Sequence, residues 1–109
     1  MKDKNYFQID ELVCHEGKVK GFYGADLLNL AQGGIKIVKV AAKANYPVHI
    51  HPDKTEFVYL INGSVNCYIE SEQYNLNPGN FAVFPLGVTH KIENPTNFEA
   101  TLLIGNIKD

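Results

Sequence analysis

Hydrophobic residues in this chain fall in short runs, alternating or continuous, that are cut at close intervals by glycine, proline and asparagine. From residue 35 onward, Ile35 to Ala42, Val48 to His51, Thr55 to Ile61, Val65 to Glu70, Gln73 to Leu76, Phe81 to Phe84, Thr89 to Glu93 and Glu99 to Gly105 have the length and the β-branched and aromatic content of strands. Between them stand Gly33-Gly34, Asn45 to Pro47, Pro52-Asp53, Asn62-Gly63, Asn77-Pro78-Gly79, Pro85 to Gly87 and Asn94 to Asn97, which carry the residue types that turns require. No amphipathic helix of useful length competes. The expected class is all-β, a sandwich or barrel of short strands. Tyr6 to Ile9 and Gly21 to Leu30 read as edge strands or a short helix. The chain thus divides into an N-terminal arm over 1–34 and a barrel core over 35–105, within one domain spanning 1–109.

Asn62-Gly63 favours a two-residue type I′ hairpin, which would pair Ile61 with Ser64, Leu60 with Val65, Val58 with Cys67 and Glu56 with Ile69. Directly opposed residues share a face. If Glu56 points inward, Val58, Leu60, Val65, Cys67 and Ile69 line the interior with it, and Phe57, Tyr59 and Tyr68 face outward. Exposed aromatics are costly, so that outer face is expected to be covered by the N-terminal segment or by a second subunit, and a homodimer follows.

Composition narrows the function classes. With 109 residues and 45% hydrophobic content there is room for one soluble domain with its own core. Met1 to Asp10 holds no charged leader followed by an apolar stretch, and no run of 18 apolar residues occurs, so the expectation is a cytoplasmic protein that does not span a membrane. A net charge of -2 and scattered lysines leave no basic stripe for nucleic acid. Cys14 and Cys67 follow no Cys-x-x-Cys spacing and read as thiols. Arginine is absent and all ten basic residues are lysines, so bidentate recognition of an anion within one chain is excluded.

The chemistry concentrates in His49-Ile50-His51-Pro52-Asp53-Lys54-Thr55-Glu56, immediately before the apolar run Phe57 to Ile61. A glutamate leading into a buried strand loses hydration that apolar neighbours cannot replace, and a bound cation is the simplest compensation. His49 and His51, two apart, project to one side of an extended segment. Downstream, Gly79, Pro85, Gly87, His90 and Asn94 form a second constellation in which the turn residues deliver His90 inward. The Gly79, Pro85, Gly87 spacing alone matches roughly 2 × 10⁻⁴ of registers at average usage, so two such blocks in one chain are not coincidence.

Together the blocks resemble the two motifs of the cupin superfamily. The first is met by His49, His51, Glu56 and Gly63, with Lys43 where the opening glycine is usual, and the second by Gly79, Pro85, Gly87, His90 and Asn94. The resemblance implies a jelly-roll barrel, or double-stranded β-helix, that binds one divalent transition metal through His49, His51, Glu56 and His90. Imidazole and carboxylate suit Zn, Fe, Mn, Ni, Cu or Co alike. Tyr46 is placed either to reach the pocket as a proton donor or to pack at the barrel mouth, and Val58, Leu60, Cys67 and Ile69 complete the expected pocket. Cys14-His15 lies outside both motifs and reads as surface, and Asn94 as a turn residue before Pro95. The resemblance implies a small metalloenzyme of the oxygenase, isomerase or lyase class acting on a small-molecule ligand. The alternatives are a non-catalytic binding or sensing module anchored by the metal, and a barrel stabilised by a structural ion.

Overall fold

A computed structural model describes residues 5–109, so the first four residues of the N-terminal arm lie outside it. After a 3-10 turn at Ile9–Glu11 come β1 (His15–Glu16), β2 (Phe22–Leu30), β3 (Gly33–Val40), β4 (Lys54–Asn62), β5 (Val65–Ile69), β6 (Glu72–Leu76), β7 (Phe81–Phe84), β8 (His90–Glu93) and β9 (Ala100–Lys108). They form a six-stranded sheet in the order β1-β2-β3-β9-β4-β7 and a three-stranded sheet in the order β6-β5-β8. Every pairing is antiparallel. This is the expected all-β jelly roll, a double-stranded β-helix. Gly21 to Leu30 resolves as a strand, and Tyr6 to Ile9 forms none. Among the described residues no helix is long and apolar enough to cross a membrane.

The inward faces of the two sheets meet in a core that includes Val38, Val40, Val58, Leu60, Val65, Cys67, Phe84, Ile92, Leu102 and Ile104. Each such aliphatic side chain contributes roughly 1.5–3 kcal/mol on full burial. Instead of folding back on β5, β4 pairs with β9 and β7, while β5 pairs with β6 and β8 in the other sheet. The expected Asn62-Gly63 hairpin and its register are therefore corrected. A type I′ turn needs positive φ at both central residues, and only Gly63 has it, at 84°. Gly63 is instead a corner between sheets, packed so closely on Ala100 that a Cβ would lie 2.8 Å from its Cα. The inward set survives this change of partner, because residues on opposite walls of a barrel point at the same core. Val58, Leu60, Val65 and Cys67 are fully buried, and Ile69 packs against them.

Three other elements differ from expectation. Gly33 and Gly34 begin β3 instead of forming a turn, since the absence of a Cβ at Gly33 lets the backbone of β9 at Asn106 approach closely. Val48 to His51 is not a regular strand. Residues 44–49 run beside β8 through Tyr46 N–H to Ile92 O (2.8 Å), His49 N–H to His90 O (3.0 Å) and Asn94 N–H to Ala44 O (2.8 Å), but Pro47 and Pro52 have no N–H to continue a ladder. Lys43, in the position where a glycine was missed, takes the left-handed conformation itself, with φ 65°, and its Nζ donates to Pro95 O at 2.7 Å.

Asn94 ties this region together. Its side chain is 1% exposed; Nδ2 donates to Val40 O (3.2 Å), Ala41 O (3.2 Å) and Phe98 O (2.8 Å), and Oδ1 accepts from Thr96 N–H (2.9 Å) and Oγ1 (2.7 Å). Asn94 is thus the clasp between the end of β3 and the β8–β9 connection, more than a local turn residue. Asn94→Ala takes a donor from the buried Val40 carbonyl and the acceptor from Thr96, while Ala41 O keeps Ala44 N–H and Phe98 O keeps Thr96 Oγ1. It should lower the unfolding free energy by about 2 kcal/mol in a denaturant titration, while the variant still binds metal at temperatures where it stays folded. A loss below about 1 kcal/mol would show that water replaces the amide without cost.

Candidate metal centre

His49, His51, Glu56 and His90 converge: one donor atom from each lies within 4.8 Å of all the others. Glu56 comes from the inward face of β4 and His90 from the start of β8. His49 and His51 come from the irregular segment that crosses the barrel beside β8. The reciprocal bonds His49 N–H to His90 O (3.0 Å) and His90 N–H to His49 O (2.9 Å) join the two motifs directly, and Gly87 N–H to His51 O (2.9 Å) adds a second link. Gly87 makes that bond from positive φ, 74°.

Packing fixes the rings. Phe84 stacks on His90 with centroids 4.3 Å apart and planes 13° apart. Tyr46 lies against His49 at 4.7 Å, with Phe22 edge-on behind it at 5.1 Å. His49 Nδ1 is 2.9 Å from Pro47 O and His90 Nδ1 is 3.1 Å from Val88 O. A proton on each Nδ1, donated to those carbonyls, leaves Nε2 free to ligate, as an orienting outer partner does for a metal-bound histidine.

The separations fit a cation. His90 Nε2 is 3.2 Å from Glu56 Oε1 and His51 Nε2 is 3.6 Å from Glu56 Oε2. Adjacent donors around an ion with bonds of about 2.1 Å lie roughly 3.0 Å apart in an octahedron and roughly 3.4 Å apart in a tetrahedron. The outer limit of 4.8 Å exceeds the roughly 4.2 Å span across an octahedral ion, so closing on one requires a contraction of a few tenths of an ångström. Electrostatics agree. Burial opposes ionisation of Glu56, but a proton on His90 Nε2, donated to Glu56 where no cation takes its place, and the charges of His51, His90 and His49 hold its carboxyl below the usual range. Burial lowers the pKa of His51, against the pull of Glu56, and Lys54 and the other two histidines lower it further.

A cavity of about 440 Å³ opens beside the four side chains, within the size range of small-molecule sites. His49, His51 and Glu56 stand in its wall with Tyr46, whereas His90 is 2% exposed and lies behind them. Val58, Leu60 and Cys67, expected in the pocket, are instead sealed in the core, and burial pushes the Cys67 thiol up to about 11. Ile69 packs against the same core. The wall also includes His15, Lys18, Asp26, Lys36, Lys54 and Asn106, none of which the motifs flagged. Alternation could have found two of them: Lys54 is two residues before Glu56, and Lys36 two before the buried Val38.

Two antiparallel sheets wound into a jelly roll, with three imidazoles and one carboxylate gathered beside a cavity, define a barrel able to hold a metal ion. A family model described as a cupin domain matches residues 36–105, and the chain belongs to that family. Germin-like protein subfamily 1 member 17 of Arabidopsis thaliana is 36% identical over 67 residues, covering 52% of this chain and 30% of that relative. The chain therefore matches less than a third of the length of this curated relative. The fold is shared with the Cnp3 cupin domain of Schizosaccharomyces pombe, with a TM-score of 0.87 at 13% identity over 95% of this chain and 74% of that one. It is shared too with a sugar phosphate isomerase from a cupin superfamily, from Silicibacter pomeroyi, with a TM-score of 0.79 at 21% identity over 96% and 76% of the two chains.

The donor geometry predicts that alanine at His49, His51, Glu56 or His90 weakens metal binding by more than the roughly 10–100-fold that losing an outer partner costs. Protonated imidazole has no lone pair to offer, so metal is lost as pH falls. The lowered His51 value places that loss below the ordinary 6.5. Metal analysis after dialysis across pH 4.5–7.5 checks both; retention by all four variants, or release midway above pH 6.5, would contradict the assignment.

Proposed function

We propose that this cupin is a small metalloenzyme in which His49, His51, Glu56 and His90 hold one divalent transition metal and a small molecule binds beside it. The observation that carries this is the cavity: the candidate ligands border an open space instead of being closed over by the core. Four protein ligands leave two positions on an octahedral ion and none on a tetrahedral one. When bound, the metal supplies Lewis-acid polarisation of a substrate oxygen.

Among the expected classes, isomerase or lyase chemistry has the most support. Such reactions move protons, and the cavity wall carries groups able to take or give one: the Tyr46 hydroxyl, the His15 imidazole and the Asp26 carboxylate. Tyr46 is held between Phe22 and His49, so its position relative to the candidate ligands is fixed by packing. A non-catalytic binding module uses the same cavity without those groups taking part.

Protein loaded with manganese, nickel or cobalt should convert a chelating hydroxy or oxo acid equally well with and without oxygen, and Tyr46→Phe should slow it by on the order of 10²-fold. Strict dependence on oxygen would make it an oxygenase. Saturable binding without product under either atmosphere would make it a binding module.

We propose further that the chain forms a homodimer, through a face that keeps Phe57 and Tyr59 but has Phe81 and Val83 beside them in place of Tyr68. Tyr68 belongs to the small sheet, where its hydroxyl donates to Glu93 at 2.9 Å. Phe57 and Tyr59 lie on the outer face of the six-stranded sheet, opposite Val83 and Phe81 of β7. The Phe57 ring covers Gly105 and stacks on Phe81 at 5.5 Å, yet Phe81 remains 57% exposed, Val83 45% and Tyr59 40%. A contiguous apolar patch of this kind marks an interface. Sedimentation at micromolar concentration should give twice the 12.2 kDa chain mass, and Phe81→Glu should return it to one. A monomeric wild type would remove the dimer.

A further inference from the structure

The cavity beside the candidate metal ligands carries more lysines than carboxylates, although the chain as a whole is negative. Lys18, Lys36 and Lys54 line it against two carboxylates, Asp26 and Glu56, and Glu56 is committed to the cation in the function proposed above. The sheet register places these groups. Glu56 of β4 lies opposite Asn106 of β9, which lies opposite Gly34 of β3. Lys54 is two residues before Glu56 and Lys36 two residues after Gly34, so both share the inward face with Asn106 and flank it diagonally. Diagonal neighbours are roughly 7–8 Å apart, within reach of a lysine stem.

Among the described residues no carboxylate is paired with Lys36 or Lys54, although Asp26 is the cross-strand partner of Lys36. The stem of Lys36 runs beside Gly24, its Cδ 3.9 Å from where a Cβ would stand, an ordinary van der Waals distance. Lys36, Lys54 and Asn106 also line a second cavity of about 290 Å³, with Lys108, Asp26 and Asp53, so they stand where the two spaces adjoin.

We infer that Lys36, Lys54 and Asn106 form an anion subsite one strand away from the metal position. Its ligand is a small hydroxy or oxo acid whose chelating end meets the metal and whose second carboxylate meets the lysines. Directly opposed residues such as Glu56 and Asn106 have Cβ atoms roughly 4.5–5.5 Å apart, a separation that two or three carbons bridge. Lysine point charges, with the Asn106 amide between them, recognise the carboxylate in a chain without arginine. This inference rests on the metal-anchored function for the chelating end only.

Calorimetry with nickel-loaded and metal-free full-length protein tests it, using L-malate as the two-ended probe, L-lactate as the same chelating group without the second carboxylate, and 3-phosphoglycerate as the phosphate counterpart. Malate should bind loaded wild type at least tenfold more tightly than lactate, with the advantage shrinking between 0.1 and 1 M salt. Lys36→Met and Lys54→Met should each weaken malate at least threefold and leave lactate affinity and nickel content unchanged. Equal affinity for malate and lactate, or a malate advantage untouched in both variants, overturns the subsite. If both acids bind equally and only with nickel, the metal anchor stands and the subsite falls. If malate binds without nickel yet still requires both lysines, the subsite stands and the anchor falls. Lysine-dependent binding of 3-phosphoglycerate tenfold tighter than malate overturns the assignment to a carboxylate.

Discussion

A carboxylate on the inward face of a β-strand is the constraint around which this barrel is arranged. Glu56 precedes Val58 and Leu60 on the same face of β4, both fully buried, and its own side chain is only 16% exposed. An ionised group there is tolerable only if positive charge or strong donors surround it. They come from places distant in sequence: His51 and His49 from the segment beside β8, and His90 from β8 itself. The backbone pairing of His49 with His90 is therefore part of the solvation of Glu56 as much as of the sheet. Phe84 and Tyr46 hold the imidazoles at the angles that this solvation needs.

The ligand quartet was legible because its spacing is dictated by short, invariant pieces of geometry: two residues along an extended segment, and a turn that returns a histidine to the same cavity. The inward face of β4 and β5 was legible for a similar reason, since alternation reports burial whatever the partner strand. Pairing was not legible. Asn62-Gly63 carries the local signature of a hairpin, but the strands it joins pair in separate sheets, and only Gly63 adopts the φ that the turn would need. The tight connection that does form between β5 and β6 passes through Glu70, which takes φ 54° without being glycine or asparagine, and so gave little signal.

Cavity residues were the hardest to see. Val58, Leu60 and Cys67 share the face of Glu56 but sit deeper, where the two sheets close, whereas the open space lies toward β2 and the first residues of β3 and β4. There the inward positions are Asp26, Lys36 and Lys54, whose polarity in sequence resembles a solvated strand face. Lys43 shows the same limit in the backbone: a family glycine is replaced, yet the left-handed turn persists, so the motif's mechanics survive a residue that breaks its letter.

The position of β9 has a consequence for how the chain is made. β9 lies between β3 and β4 in the six-stranded sheet, and residues 100–108 leave the ribosome after β1 to β8. Until they emerge, β3 and β4 have no common partner. Each then presents an unpaired edge rich in Val, Ile and Phe, of the kind that pairs with a neighbouring chain. The β2–β3 and β5–β6 hairpins can form during synthesis, but the sheet that carries Glu56 cannot close until translation has passed residue 108. Its ladders join residues far apart in sequence, which slows closure further. The interval between synthesis of β4 and capture of β9 is the period in which this barrel is most exposed to aggregation, and Glu56, the candidate ligand from β4, is waiting throughout it.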